Sequence, residues 1–198
     1  AENRLVEVKT AQEETVTVRF EPGWNFFSLP VITDDLRVTA ILPTYGTEID
    51  SFVRYDTTVN HSDTGHYEHY VGNPKFDNFT TMEYGRGYQL YCTQPSGCRV
   101  TIKGRLPTKP LAKSLATGWH LIPAMTLDGP KPLSWLLPGV TYDQVYGYNA
   151  TTQQLERATE VKPYAAYYVN VAASTFTPPL PRDVTTKFVY DGDGGRVK

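Results

Sequence analysis

The chain has 198 residues and a formal net charge of −2. That length fits one domain or two small ones with a real core. The weak charge argues against nucleic acid or an anionic membrane as a partner. No apolar stretch reaches the roughly 18 residues that a spanning helix needs. Fourteen Tyr, fifteen Gly and fifteen Pro favour strands and turns over helices.

The chain starts at Ala1 without an initiator Met or a signal peptide and reads as a fragment of something longer, so its start says nothing about export. Residues 1–20 alternate in polarity. Val6 and Val8 stand against Glu7 and Lys9, then Val16, Val18 and Phe20 against Thr17 and Arg19, with Ala11-Gln12-Glu13-Glu14 between. This spacing predicts a hairpin with a solvated acidic tip, assigned to 1–19.

A first β module is expected over 20–104. It opens on Gly23-Trp24-Asn25 with a strand over 25–31, then a short helix over 38–42 stopped by Pro43. Strands follow at 49–55, 66–71, 88–92 and 99–103. Tyr88, Leu90 and Cys92 share one strand face, and Cys98, Val100 and Ile102 the next, with Pro95 and Gly97 supplying a turn. Cys92 and Cys98, the chain's two cysteines, are thus placed to meet across a hairpin, and they read as a disulfide rather than as two free thiols. A disulfide points to an oxidising compartment. Residues 104–113 form a joint. A second module is expected over 105–182, with strands at 119–124, 145–149 and 165–171, a helix at 133–137, and a stiff exit through Pro178, Pro179 and Pro181. The last segment, 183–198, predicts a hairpin around the turn Asp191-Gly192-Asp193-Gly194-Gly195.

The two modules carry the same marks in the same order. Gly118-Trp119-His120 repeats Gly23-Trp24-Asn25 at 119 − 24 = 95, and Leu137-Pro138 repeats Leu42-Pro43 at 137 − 42 = 95. Tyr148-Asn149 repeats Tyr55-Asp56 at 148 − 55 = 93, and Tyr168 is matched to Tyr91 at 168 − 91 = 77. A duplicated unit with a shortened late loop has this pattern. Trp24, Trp119, Tyr91 and Tyr168 are its structural anchors, with the tryptophans expected in the core. The fold class expected is mainly β: two tandem copies of a small β-rich module with one short helix each, flanked by hairpins.

The flanks resemble a known family. Ala1-Glu2-Asn3-Arg4-Leu5-Val6-Glu7-Val8-Lys9 looks like the close of an RHS/YD repeat. Phe188-Val189-Tyr190-Asp191-Gly192-Asp193-Gly194-Gly195-Arg196-Val197-Lys198 looks like the start of another. The resemblance implies a teneurin-like hollow β shell, secreted or at the cell surface, into which the middle of the chain is inserted. Loop tips tolerate such insertions. The insert resembles the "GWN … GxGYxxY" modules of bacterial and archaeal secreted and surface-layer-type proteins through Gly23-Trp24-Asn25, Ser28-Leu29-Pro30, Tyr55-Asp56 and Gly85-Arg86-Gly87-Tyr88-Gln89-Leu90-Tyr91. His120 and Lys162-Pro163-Tyr164 depart from it in the second copy. No catalytic activity attaches to that resemblance.

Sites are weakly marked. His61, Asp63, His66 and Glu68 concentrate metal-ligating types, with His66 and Glu68 placed on one strand face by alternation, but no metal-ligand spacing appears. Solvated loop chemistry is the plainer reading, so no metal and no cofactor is expected. Asp34, Asp35, Asp50 and Asp56 single out no acid pair for glycoside hydrolysis, and Ser28 lies in no nucleophile elbow. Tyr67, Tyr70, Tyr84, Tyr142 and Tyr146 are the tyrosines expected to face solvent and a ligand. The function expected is non-catalytic: a structural or interaction domain presenting a surface on the repeat shell, with a protein or a glycan as partner. Carbohydrate binding through exposed Tyr and Trp is the alternative, and a metal-dependent or hydrolytic enzyme the second.

Overall fold

The computed structural model describes residues 8–9, 12–63, 65–108, 112–172, 174–176, 185–186, 189–190 and 196–197. The chain is mainly β, and its sheets are antiparallel. In order it runs β1 (Val8–Lys9), β2 (Glu13–Phe20), β3 (Gly23–Ser28), α1 (Val38–Ile41), β4 (Ile49–Tyr55), β5 (Tyr67–Tyr70), β6 (Gly87–Cys92) and β7 (Cys98–Arg105). After the joint come β8 (Lys113–Leu115), β9 (Gly118–Pro123), a 3-10 turn (Leu133–Trp135), β10 (Tyr142–Asn149), β11 (Gln154–Arg157), β12 (Ala166–Val171) and β13 (Ser174–Phe176). The described ends are β14 (Thr185–Thr186), β15 (Val189–Tyr190) and β16 (Arg196–Val197).

Two four-stranded sheets dominate. Sheet one has the order β3-β6-β4-β5 and sheet two the order β9-β12-β10-β11. Both therefore place the first strand beside the last, then the second, then the third. In each half the strand before the sheet pairs with the strand after it: β2 with β7 over eight residues, β8 with β13 over three. The details also correspond. The ladder slips once in each sheet, between Ile49 and Ser51 and between Tyr142 and Gln144. The Tyr88 hydroxyl accepts the Glu83 N–H (2.6 Å), and the Tyr167 hydroxyl accepts the Lys162 N–H (2.7 Å). Asn25 donates to Glu21 O (2.8 Å), and His120 Nε2 bonds Ala116 O (2.8 Å), each four residues back.

These registers correct three expectations. The tyrosine that matches Tyr88 is Tyr167, at 167 − 88 = 79, so Tyr91 corresponds to Asn170 rather than to Tyr168. The paired tyrosines 167 and 168 invite a slip in a match made by residue type. Among the described residues the stretch 13–20 does not pair with β1. It pairs with β7, because Val16, Val18 and Phe20 meet the alternating Ile102, Val100 and Cys98. β1 pairs instead with β14. Finally, β6 and β7 form no ladder. The Cys92–Cys98 disulfide is present (Cα–Cα 5.9 Å), but it ties sheet one to the β2–β7 ribbon. β15 pairs with β16 over two residues, while the turn 191–195 expected between them lies outside the described residues, as do 1–7 and the prolines of 177–181.

The largest core lies between sheet one, α1 and β2–β7, with Phe27, Leu29, Phe52, Tyr88 and Leu90 fully buried. A smaller core backs sheet two with Ile122, Val145, Tyr167 and Val169. The other faces of the two sheets meet each other. There Leu121, Ala166 and Tyr168 pack with Phe26, Tyr55 and Tyr146. Phe26 stacks on Tyr148 (4.8 Å) and meets Tyr168 edge-on (5.4 Å). Approach is close at Gly87, where a Cβ would lie 2.7 Å from Leu121 Cγ and 2.9 Å from its carbonyl. The β10–β11 tip reaches across as well: Gln153 Oε1 accepts the Trp24 N–H (2.7 Å), and Nε2 donates to Pro22 O (3.1 Å). That amide occupies the open edge of β3, which would otherwise offer unpaired backbone groups.

Candidate functional site

A groove of about 560 Å³ lies between the two sheets, lined by residues of both. Half one supplies Tyr55, Gly65, His66 and Tyr67 from β4, β5 and the loop joining them. Half two supplies Trp119, Tyr146, Leu155 and Tyr168, one from each strand of sheet two. Among the described residues no Asp, Glu, Lys or Arg lines it. Trp119 is 38% exposed, Tyr67 36% and Leu155 52%, so apolar surface is held open to solvent here.

The rings are fixed by one another. Tyr55 meets Tyr67 edge-on (5.1 Å) and Tyr168 edge-on (5.7 Å), and Trp119 tilts against Tyr146 (5.9 Å). At the groove floor Gln89 Nε2 donates to Tyr168 Oη (2.8 Å), which donates to Tyr67 Oη (2.9 Å). Burial, and then the bond to Tyr67, push the Tyr168 phenol far above its usual range. Burial also raises Tyr55. The His66 ring lies against Tyr55 (5.7 Å), and its Nδ1 bonds Val59 O. A carbonyl only accepts, so Nδ1 carries the proton and Nε2 remains as the ring's second polar atom. Tyr146 Oη donates to Gln144 (2.7 Å).

Of the five tyrosines expected to face a ligand, the structure brings Tyr67 and Tyr146 into this groove. Tyr70 is buried in the first core, Tyr142 packs against the second, and Tyr84 carries a buried hydroxyl without a hydrogen-bond partner among the described residues. Burial pushes the Tyr84 phenol well above its usual range. Trp24 and Trp119 are not core anchors. The core-facing positions of β3 are Asn25 and Phe27, and the alternation turns Trp24 toward the other sheet, half-buried and edge-on to Tyr91 (5.4 Å). Trp119 sits at the same place in sheet two and becomes groove wall. Leu155, also at the groove, carried no signal in the sequence beyond its residue type, and Tyr55 was marked there as a repeat position rather than as a site residue.

The polar loop disperses. Glu68 is buried and paired with Arg54 (2.6 Å), which also bonds Glu83 (3.0 Å) and lies over Phe79 (4.5 Å). His66 precedes β5 and turns to the groove instead, so the shared face expected for His66 and Glu68 does not form. His61 is bridged through its backbone to Gly65, and Asp63 is exposed. Among the described residues no three His, Cys, Asp or Glu side chains group so as to hold a metal ion. Three of the other acids pair with arginines: Asp35 with Arg37, Asp34 with Arg105, Asp56 with Arg86 (2.9 Å). The Ser28 hydroxyl is buried and donates to Ala124 O (3.3 Å). A second, polar groove of about 640 Å³ runs along Asn149, Glu156 and Tyr167, where Glu156 is taken up by Asn149 and Thr152 (2.9 Å each).

Searches of family models, of curated proteins and of solved structures find no match to this chain.

Proposed function

We propose that the chain is a non-catalytic binding domain, built from two copies of one β unit and inserted into an exported shell of RHS/YD type. Duplication is supported by the common strand order, the ladder slip shared by β4 and β10, and the paired contacts of Tyr88 with Tyr167 and of Asn25 with His120. Insertion is supported by β1 and β14, the incoming and outgoing strands, which lie side by side as a domain grown from a hairpin requires. Export is supported by the disulfide.

The observation that carries the binding role is the groove between the halves. Exposed Trp119, Tyr67 and Leu155 line it, held by a hydrogen-bonded and edge-packed aromatic set. A scaffold with no ligand has no use for an uncovered tryptophan beside an uncovered leucine. The test is an array carrying both glycans and peptides, probed with the chain and with Trp119→Ala, whose melting temperature is checked first. Retention by the parent chain, lost in the variant, is expected. Absence of any ligand on the array, or binding indifferent to Trp119, would overturn the reading.

A further inference from the structure

We infer that the ligand of this groove is a neutral pyranose chain, one sugar ring lying on the exposed face of Trp119. The inference rests on the binding role proposed above and names its ligand class. A pyranose has a flat C–H face and a rim of hydroxyls, so it wants an aromatic plane flanked by uncharged polar atoms. The groove offers both: Trp119 held at an angle to Tyr146, with the hydroxyls of Tyr67 and Tyr168 and the imidazole of His66 around it. Its volume of about 560 Å³ lies inside the usual range of small-ligand sites, about 300–1,000 Å³.

Competing ligand classes fit less well. An acidic polymer or a phosphate would call for Lys or Arg, and none lines the groove among the described residues. A quaternary ammonium needs rings standing around an empty box. Here Tyr55 is in edge contact with both Tyr67 and Tyr168, which fills that space. A peptide added as a strand on the outer edge of β5 would find that edge taken: Asn78 Oδ1 accepts the His69 N–H (2.9 Å) and Asp77 Oδ1 the Val71 N–H (2.7 Å).

The test titrates the chain with soluble hexasaccharides of glucose, xylose, mannose and N-acetylglucosamine, with hexagalacturonate, and with a proline-rich decapeptide. Calorimetry and tryptophan fluorescence report binding. At least one neutral hexasaccharide is expected to bind. Trp119→Ala should weaken it tenfold or more, Trp119→Phe should recover part of the loss, and Trp24→Ala should leave it unchanged. Binding of the decapeptide alone, lost in Trp119→Ala, would overturn the sugar assignment and leave the binding role standing. Preference for hexagalacturonate would overturn the neutral class. Binding of none of these probes would overturn the sugar assignment, and an array equally silent would remove the binding role with it.

Discussion

Replacing Asp56 by Asn isolates a single charge. Asp56 Oδ1 accepts the Thr58 N–H (2.9 Å) and hydroxyl (2.6 Å), and Oδ2 takes Arg86 Nη1 (2.9 Å). In the other sheet the residue at the end of the matching strand is Asn149, which holds a similar turn through Thr151 N–H (3.0 Å) and Thr152 N–H (3.2 Å). Asp56→Asn should therefore keep the turn and lose the charge facing Arg86. Burial pushes the Asp56 carboxyl up, but the Thr58 hydroxyl and then Arg86 outweigh it and hold the group well below the ordinary 3.8. The partners' side chains are only 15% and 23% exposed, so this is no surface pair of marginal worth. A charge-assisted bond contributes about 1.5–3 kcal/mol, and Arg86 keeps Glu83 at 3.3 Å, so the lower half of that range applies. At roughly 2–4 °C per kcal/mol for a chain of this size, the variant should melt about 3–9 °C lower at pH 7. A depressed carboxylate stabilises above its unfolded value and loses that contribution as pH falls through the folded one. The gap between parent and variant should thus narrow steadily below about pH 4. Scanning calorimetry from pH 7 to pH 2.5 decides it. Equal melting at pH 7, or a gap unchanged at pH 2.5, would refute the reasoning.

Tyr88→Phe and Tyr167→Phe keep their rings and strand one backbone N–H each, Glu83 and Lys162; each should lower stability by about 1–3 kcal/mol in urea unfolding. Burial pushes the Tyr88 phenol up to about 12, so its neutral form stabilises fully below pH 10 and loses that contribution as pH rises toward 12; the Tyr88→Phe deficit should shrink over that window. Gln153→Ala removes the amide from the β3 edge, where water can substitute, so stability should drop by only about 1 kcal/mol while the Trp24 amide exchanges markedly faster by NMR. Gly87→Ala drives a methyl into Leu121 and its carbonyl, and should lower stability by about 1–3 kcal/mol with the loss of Phe26–Tyr148 ring-current shifts.

Local patterns carried most of the element reading. The strand expected over 49–55 is β4 at its full length, and Pro43 fixed the end of α1 within a residue. Pairing was less legible because it is non-local. Nothing near Val16 says whether its partner is Val8 or Ile102, and the eight-residue match with β7 decided it only once the chain had folded. The same holds for Glu68, which alternation put beside His66 but whose nearest charge is Arg54 on the neighbouring strand. β11, an exposed Gln154-Leu155-Glu156-Arg157, has no apolar alternation to betray it. His120 looked like a departure from Asn25, yet an imidazole N–H reaches the carbonyl four residues back as the amide does, so chemistry persisted where identity did not.

The groove follows the same logic in reverse, since it is made where matching positions differ in chemistry. The cross-strand pair Val53 and Gln89 of sheet one stands where sheet two has Tyr146 and Tyr168. Tyr67, opposite Tyr55, stands where sheet two has Leu155 opposite Tyr148. Trp24 is closed off by Tyr91, whereas Trp119 faces only Asn170 across its ladder and stays open. On the duplication proposed here, the shared residues are those that hold each sheet to its core. The divergent ones build an aromatic surface to which both halves contribute. A search by repeat similarity scores such positions as noise, although they are where one copy has freedom to acquire a site while the other keeps the fold. Swapping the sheet-one pair into sheet two, Tyr146→Val with Tyr168→Gln, should therefore erase ligand binding, while the Tyr167 corner and its core keep the sheet folded. Retained affinity in that double variant, folded by circular dichroism, would place the binding surface elsewhere.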